Sequence, residues 1–180
     1  PMAYSISAEG APAAVPDFDT LFETYQTEAL RAAYLICGNR ADAEDVVQDT
    51  FVKCYESMSQ LHDPTRVKAW LFRILTRTAW RACQKHRREM PVETLYDSQE
   101  PTDEDASAPL LRDDRAQTVR RALQALEPKQ RMTAVLYYFN DMSVREIAQT
   151  MGCFEGTVKS RLYHARQQLK AKLEVEFDEI

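Results

Sequence analysis

Apolar positions follow one another along this chain with the period of an α-helix. Over most of its length, apolar side chains recur every three or four residues, which places them along one face of a helix. The chain has only four glycines and many Ala, Leu, Gln, Arg and Glu residues, which also favours helices. We therefore predict an all-α fold. The predicted helices cover residues 18–36, 41–58, 67–89, 118–126, 128–139, 144–151 and 155–173.

An acidic, proline-containing segment interrupts this pattern over residues 91–115. Low hydrophobicity combined with high charge and three prolines is typical of a flexible linker. The linker separates two small helical domains, which we predict over residues 17–90 and 116–175. Residues 1–16 show no periodicity and are expected to be mobile, and residues 176–180 form an acidic tail. Domains of this size are only marginally stable on their own.

The last two predicted helices form a helix-turn-helix pattern. Gly152 follows the first of them as a stop signal, and a second amphipathic helix starts near Glu155. The outward face of this second helix carries short or polar residues near its N-terminal half, with cations on both flanks. Such a face suits a helix that lies in the DNA major groove and contacts the phosphates on either wall. An ordinary helical hairpin with a solvated basic face is the alternative.

The second predicted helix has an acidic face, and Asn39 is positioned to cap its N-terminus. Four carboxylates follow at intervals of three, four and seven, with a glutamine beside them: Asp42, Asp45, Asp49, Glu56 and Gln48. Like charges spaced four residues apart destabilise a helix slightly, so a run of them is better tolerated if a basic partner docks there. A solvated acidic face explains the run equally well.

Cations and one tryptophan share the solvent-facing side of the third predicted helix. The residues on that side are Arg73, Arg77, Trp80, Arg81, Gln84 and Arg88, with Lys85 and Arg87 at its edge. Cations interleaved with an aromatic ring suit single-stranded or partly opened DNA, because phosphates follow the cations while a base stacks on the ring. The alternative is a solubilising arginine face with Trp80 in a core or interface position. For Trp80 taken singly, that alternative fits slightly better.

Charge is distributed unevenly along the chain, although the net charge is only −5. Residues 66–90 carry +7 and residues 116–173 carry +6, whereas residues 1–65, 91–115 and 174–180 carry −8, −6 and −4. Two basic blocks separated by acidic ones indicate two separate nucleic-acid contacts. The acidic segments repel the same phosphates, so we expect the free chain to bind DNA weakly.

Several classes of protein are disfavoured by the sequence. It has no glycine-rich phosphate loop and no nucleophile–base motif, so we expect no enzymatic activity and no cofactor. The four cysteines and three histidines are scattered without paired spacing, which disfavours a metal site or a disulfide framework. The same scatter argues against redox-active cysteines, but the sequence leaves that question open. With no bilayer-spanning apolar stretch and no signal peptide, we expect a cytoplasmic protein that makes no membrane contact of its own.

Three stretches together resemble one protein family. They are DAEDVVQDTF at residues 42–51, WLFRI at residues 70–74 with a basic continuation, and residues 126–166, which include EIAQTMG and GTVKSRLYHAR. In this order, and with the acidic linker before the third, they are similar to the small extracytoplasmic-function (ECF) sigma factors of bacterial RNA polymerase. The resemblance extends over roughly residues 18–173. It implies a transcription-initiation factor with a sigma region 2 and a sigma region 4 domain.

The resemblance also implies a role for three helical faces. The second helix would dock on the clamp helices of the largest polymerase subunit, through Asp42, Asp45, Gln48, Asp49 and Phe51. The third helix would recognise and help to open the minus-ten promoter element, through Arg73, Arg77, Trp80, Arg81, Gln84, Lys85 and Arg88. The last helix would read the minus-thirty-five element, through Gly156, Thr157, Lys159, Ser160, Arg161, Tyr163, His164 and Arg166. The acidic linker would extend toward the RNA channel.

Two features of the sequence depart from the family pattern. Many members carry Asn and Asp within the minus-ten helix where this chain has Arg77 and Arg81, which changes how a base would be held. A serine or similar cap usually precedes the recognition helix, whereas this chain has Phe154 there. The helix would then start elsewhere or be capped by another group.

The partners implied by the resemblance are core RNA polymerase, promoter DNA and a restraining anti-sigma factor. Two other functions remain open. A helix-turn-helix regulator that acts without docking on polymerase would need tight, salt-sensitive duplex binding by the free chain. A sigma mimic that only sequesters an anti-sigma factor would have no need for the basic block at residues 66–90.

Overall fold

The computed structural model describes the backbone of residues 15–89 and 114–178, with side chains over residues 15–85 and 115–173. All regular elements within these ranges are helical, which confirms the predicted all-α fold. The α-helices are α1 Phe18–Cys37, α2 Arg40–Ser57, α3 Val67–Glu89, α4 Asp114–Gln124, α5 Pro128–Tyr138, α6 Val144–Met151 and α7 Glu155–Asp178.

Part of what the sequence predicts falls outside the described residues. The predicted mobile N-terminus (1–16) and the acidic linker (91–115) lie mostly outside them, and so does the side chain of Arg88. Between α2 and α3 the chain passes through two short 3-10 turns, Met58–Gln60 and Pro64–Arg66.

Helices α1, α2 and α3 form an N-terminal unit whose first two helices are bounded by local capping signals. Asp17 starts α1 by accepting a hydrogen bond from the backbone N–H of Thr20 at 2.9 Å. Gly38 ends α1 in the left-handed conformation, with φ 86°. Asn39 then caps α2 as predicted, because its side-chain oxygen accepts from the backbone N–H of Asp42 at 2.8 Å. The chain therefore reverses within two residues.

The core of this unit lies where the apolar faces of the three helices meet. Its largest fully buried side chains are Leu21, Ile36, Leu71, Phe72 and Leu75. Burying a side chain of this size stabilises the fold by roughly 1.5–3 kcal/mol. Because these residues occupy the inner stripes of α1 and α3, the opposite stripe of α3 faces outward, where the predicted cations lie.

Helices α4 to α7 form the C-terminal unit, in which α6 and α7 are the predicted helix-turn-helix. Pro128 occupies the first turn of α5 as predicted. A capping box starts α6: Ser143 Oγ accepts from the Glu146 N–H at 3.2 Å, and the Glu146 carboxylate accepts from the Ser143 N–H at 2.8 Å. Gly152 ends α6 with φ 62°. The buried core of the unit includes Leu123, Met132, Val135, Leu136, Ile147 and Val158.

Two helix boundaries differ from the sequence prediction by more than two residues. Helix α4 begins at Asp114, four residues before the predicted start, and α7 continues to Asp178, beyond its predicted end at residue 173. Both added segments are rich in polar and charged residues. The spacing of apolar positions does not reveal helical turns that carry few apolar side chains.

The two units pack against each other, which the periodicity of the sequence does not predict. Helix α1 contacts α4 and α5, and α3 contacts α5 and α6. Gln124 Nε2 donates a hydrogen bond to the Leu35 carbonyl at 2.8 Å. The buried Asn140 donates to the Glu28 carboxylate at 3.1 Å. Polar contacts as well as apolar packing therefore join the helices of the two units.

The capping box makes a stability prediction for the helix-turn-helix. Replacing Ser143 with Ala should lower the free energy of unfolding by about 1 kcal/mol, as is usual when an N-cap is lost. The hydrogen bonds from Ser143 hold the pKa of the Glu146 carboxyl below its usual range. The contribution of the cap is therefore present at neutral pH and is lost as the pH falls through that lowered pKa.

Urea denaturation of the two chains at pH 7 and at about pH 4 measures this effect. We expect the difference between Ser143→Ala and the parent chain to narrow at the lower pH. Ser160→Ala is the matched control, because Ser160 is exposed on α7, where alanine favours the helix. Equal stability of Ser143→Ala and the parent chain at pH 7 would contradict the role of the cap.

Candidate polymerase-docking and nucleic-acid interfaces

The first candidate interface is the acidic ridge of α2, which we define as Asp42, Asp45, Gln48, Asp49 and Glu56. The inner side of the same helix is buried against the core through Ala43, Val46, Thr50, Phe51 and Cys54. This anchoring leaves Asp45, Gln48 and Asp49 exposed. Asp42 is half-buried, and its carboxylate accepts a hydrogen bond from Asn39 Nδ2 at 2.8 Å. The exposed carboxylates form an anionic surface that one partner could contact along its length.

Phe51 lies beneath the acidic ridge, which corrects its assignment as a contact residue. Its side chain is only 4% exposed. The ring packs edge-on against Phe22, with 4.8 Å between the ring centroids, and also against Phe18. Because an α-helix has 3.6 residues per turn, position 51 faces inward when positions 45, 48 and 49 face outward. Phe51 therefore supports the ridge from within the core.

Two exposed apolar residues on α2 were missed by the sequence analysis. Val52 is 52% exposed and Tyr55 is 68% exposed, and the Tyr55 ring packs edge-on against Phe18 at 5.3 Å. They follow Gln48 by four and seven residues, so they continue the face on which Gln48 lies. Counting helical spacing from Gln48 could have found them. Acidic and apolar side chains thus lie side by side on this surface.

The second candidate interface is the cationic stripe of α3, which consists of Arg73, Arg77, Arg81 and Lys85. All four are exposed, and they follow each other at intervals of four residues. Successive members are therefore about 6 Å apart along the helix axis. Gln84 is half-buried at the edge of the stripe. A stripe of this kind can follow the phosphates of a nucleic-acid strand.

Trp80 does not project freely beside the cationic stripe. Its ring is half-buried and packs against the core, and Lys129 Nζ of α5 lies 5.3 Å from the ring centroid. A cation at that distance over an aromatic face is attracted to it. In this arrangement Trp80 lies at the contact between the two units, which agrees with the interpretation that it occupies a core or interface position. A base could stack on this face only once Lys129 has moved away from the ring.

The third candidate interface is the outward face of α7. Val158, Leu162 and Ala165 anchor the helix in the core, so the opposite residues face solvent. The exposed candidates are Gly156, Lys159, Ser160, Tyr163, His164 and Arg166, and Thr157 is half-buried. The side chains of Tyr163 and His164 meet edge-on, with 5.4 Å between the ring centroids. Polar groups and cations therefore occupy one continuous face, as a groove-binding helix requires.

The start of α7 explains how Phe154 replaces the usual cap. The Phe154 carbonyl accepts hydrogen bonds from the backbone N–H groups of Thr157 and Val158, at 2.9 and 3.2 Å, while its side chain is exposed. Arg161 turns back toward this end of the helix. Its Nη1 lies 3.7 Å from the sulfur of Cys153, and the side chain is half-buried. Arg161 is therefore less available to DNA than the exposed cations of α7.

The described ranges lack both a metal-binding cluster and a membrane-spanning helix. No group of three or more His, Cys, Asp or Glu side chains there could hold a metal ion. None of the helices in those ranges is both long and apolar enough to cross a membrane.

The chain matches two family models that correspond to its two units. The model for Sigma-70 region 2 matches residues 21–89, and the model for Sigma-70, region 4, matches residues 116–169. The first contains the acidic ridge and the cationic stripe, and the second contains the helix-turn-helix.

Curated relatives and solved structures extend these matches over most of the chain. An RNA polymerase sigma-E factor of Streptomyces avermitilis is 34% identical over 164 residues, 89% of this chain and 87% of the relative. The ECF RNA polymerase sigma factor SigE of Mycolicibacterium smegmatis is 32% identical over 91% of this chain, which spans 64% of that relative's length.

One similar solved structure is the sigma factor RpoE of Bartonella quintana, crystallised with the anti-sigma factor NepR. It has a TM-score of 0.70 and 28% sequence identity, and the match covers 89% of this chain and 99% of RpoE. CnrH, solved with the cytosolic domain of CnrY, has a TM-score of 0.63 and 26% identity over 88% of each chain. This chain contains both family regions: region 2 coincides with the N-terminal unit and region 4 with the C-terminal unit. The chain therefore belongs to the sigma-70 family, within the group of ECF RNA polymerase sigma factors.

Proposed function

We propose that this chain is the promoter-recognition subunit of RNA polymerase, that it acts in the cytoplasm, and that it has no catalytic activity of its own. It binds the core enzyme through the acidic ridge, holds the minus-ten element along the cationic stripe, and reads the minus-thirty-five element with α7. The observation that carries the proposal is the presence of one anionic and two cationic faces on three different helices of a chain that matches both sigma regions.

The surface around the acidic ridge has the composition of a docking site. Charged groups steer a partner and set its register, whereas a few buried aromatic anchors supply most of the binding free energy. Asp45 and Asp49 provide the charged groups. The exposed Tyr55, with the neighbouring Val52, provides the apolar anchor. A basic helical surface on the polymerase clamp would complement both.

The contact between the two units affects whether Trp80 is available to DNA. While Lys129 covers the ring of Trp80, the cationic stripe can hold phosphates but Trp80 cannot stack on a base. A polymerase that binds both units at the spacing of the promoter elements would favour their separation. Holding both units in this way also makes the second DNA contact intramolecular, which raises its effective concentration.

Restraint by an anti-sigma factor fits the same arrangement. Two proteins that this chain resembles in fold were each solved with a bound partner: the sigma factor RpoE with the anti-sigma factor NepR, and CnrH with the cytosolic domain of CnrY. A protein that binds across both units of the present chain would hold them together and keep Trp80 covered. It would act by the population shift that any ligand causes when it prefers one conformation.

Run-off transcription with core polymerase tests the proposed function. Adding the chain, with no inhibitor present, should give promoter-dependent transcripts from some members of a broad promoter panel, whereas the core enzyme alone gives none. A gel shift with the free chain at physiological salt should show weak duplex binding. The absence of any promoter-dependent transcript would contradict the proposal. Tight binding to an operator by the free chain would favour an independent regulator instead.

The acidic ridge leads to a charge-reversal prediction. Changing both Asp45 and Asp49 to Lys should weaken binding to core polymerase by about tenfold or more, because like charges would then face the basic partner. Fluorescence anisotropy with the labelled chain measures the affinity, and circular dichroism checks the helical content. The matched control is Asp19→Lys with Glu23→Lys, which changes two exposed carboxylates with the same spacing on α1. Unchanged affinity of the α2 variant would remove the ridge from the docking site.

The outward face of α7 leads to a salt-dependence prediction. Lys159→Ala and Arg166→Ala should each weaken binding of the holoenzyme to a minus-thirty-five fragment and reduce the slope of log K against log salt by about 0.9, the value for one phosphate contact. Lys172→Ala is the control, because Lys172 is exposed near the end of the same helix. An identical slope for all three variants and the parent chain would place the duplex contact elsewhere.

A further inference from the structure

One large apolar side chain stands in solvent at the start of α7. Phe154 directly precedes this helix and is 86% exposed, the highest value among the large apolar residues of the described ranges. Counted back by the helical period from Val158 and Leu162, position 154 would belong to the buried stripe of α7. The helix begins only at Glu155, however, so the Phe154 ring lies outside that stripe. The core of the C-terminal unit does not use it.

The fold uses the backbone of Phe154 but not its ring. The Phe154 carbonyl accepts the hydrogen bonds from the N–H groups of Thr157 and Val158 with which α7 begins. A side-chain oxygen at this position would accept a further hydrogen bond from the first turn, as serine does at many helix starts, and phenylalanine has none. The start of the helix would therefore be more stable with serine at position 154. The aromatic ring needs another explanation.

The backbone from which this ring projects is held in place. Gly152 ends α6 in the left-handed conformation, and Arg161 of α7 reaches back across the turn that follows. Arg161 Nη1 lies 4.0 Å from the sulfur of Met151 and 3.7 Å from the sulfur of Cys153. These contacts fasten the residues on the N-terminal side of Phe154 to α7. The ring is thus presented from a defined position.

Gly156 leaves the surface beside Phe154 open. It is exposed, and a Cβ at this position would meet no other part of the described protein within 4 Å. Its backbone is helical, so internal packing and conformation both allow alanine, which is the better helix former. A glycine here does allow a group from outside to come close to the helix backbone. The start of α7 therefore combines an exposed ring with room for a close contact.

The same end of α7 carries no cation in its first turn. Lys159 is the first basic residue of the helix, and Glu155 places an exposed carboxylate before it. Phosphates would be repelled by Glu155 and attracted further along, where Lys159 and Arg166 lie. In helix-turn-helix proteins the N-terminal residues of the second helix are those that contact base edges. The first turn of α7 therefore suits bases rather than the DNA backbone.

We infer that Phe154 determines specificity for a thymine in the minus-thirty-five element, by packing its ring on the 5-methyl group of that base in the major groove. Gly156 allows the helix backbone to approach closely enough for this contact. The inference rests on the proposed function, because it assigns a base to one residue of the minus-thirty-five reader. Thymine is the base that presents a methyl group in the major groove, and apolar side chains contact it there.

The ring would discriminate between bases in two ways. Against thymine it buries a methyl group and removes apolar surface from water. Against the other base edges it would displace water from hydrogen-bonding groups without replacing the lost bonds, which is unfavourable. Specificity is the difference between these two free energies. Serine at position 154 could form hydrogen bonds with several bases and would lack this selectivity.

Deoxyuridine tests the contact, because it differs from thymidine only in lacking the 5-methyl group. Holoenzyme assembled from the full chain and core polymerase first selects duplexes from a library with a randomised minus-thirty-five segment. Each thymine of the selected segment is then replaced by deoxyuridine in turn. At one position the parent holoenzyme should bind about fourfold more weakly, the effect of one buried methyl-sized group. At that position the Phe154→Ala holoenzyme should bind both duplexes equally.

Further variants separate base reading from a structural role. Phe154→Leu should keep part of the methyl discrimination, because leucine is also apolar. Phe154→Ser should lose the discrimination although it raises the melting temperature of the chain, since serine caps α7. A purely structural residue would change stability and DNA binding in the same direction. Tyr138→Ala is the matched control: Tyr138 is an aromatic residue of α5, 44% exposed, and the variant should discriminate like the parent chain.

The possible outcomes distinguish this inference from the proposed function. A selected sequence without thymine, equal binding of thymine and deoxyuridine by the parent, or full discrimination by Phe154→Ala would overturn the role of Phe154 and leave the proposed function standing. Weaker binding of Phe154→Ala to core polymerase, measured by fluorescence anisotropy without DNA, would make the ring a protein contact and overturn the inference as well. Failure of the holoenzyme to enrich any sequence would contradict both.

Discussion

Much of the molecule's behaviour depends on the contact between its two units, and one part of that contact lies at the end of α1. Gln124 reaches from α4 to the Leu35 carbonyl and packs directly on Gly38. The φ of 86° favours glycine at position 38, and a Cβ there would lie 2.6 Å from the Gln124 side-chain oxygen and would displace that side chain. Gln124 in turn binds Arg131. One short turn thus determines how the polar side chains of the second unit meet the first.

This contact divides the DNA-binding groups into accessible and covered ones. The cationic stripe of α3 is exposed in the closed arrangement, whereas Trp80 on the same helix lies under Lys129. Phosphate contacts provide affinity without sequence information, and specificity needs contacts with bases. On α3, the free chain therefore keeps the phosphate-binding groups accessible and the base-stacking ring covered. Base stacking on Trp80 would begin only once Lys129 has moved away from the ring.

Local patterns predicted the helices and their ends well, because those features depend on neighbouring residues. Asn39, Gly152 and the helix-turn-helix follow from spacing and capping rules. Phe51 belongs to the stretch that resembles the docking motif, but its side chain is buried because the helical period turns it inward. The packing of α1 and α3 against the second unit depends on residues far apart in the sequence, which no local pattern encodes.

The uneven distribution of charge along the sequence has a consequence for DNA binding that depends on where the charged faces lie in the fold. The acidic ridge and the cationic stripe lie on adjacent, packed helices, and Lys53 of α2 reaches across to the Thr78 hydroxyl of α3 at 3.0 Å. Opposite charges so close together partly cancel at a distance, so long-range attraction of DNA to the free chain is weak. A basic partner bound to the ridge would neutralise its carboxylates and leave the positive field of the stripe unopposed. Docking on the polymerase would thus strengthen the hold on DNA electrostatically, in addition to fixing the spacing of the two units.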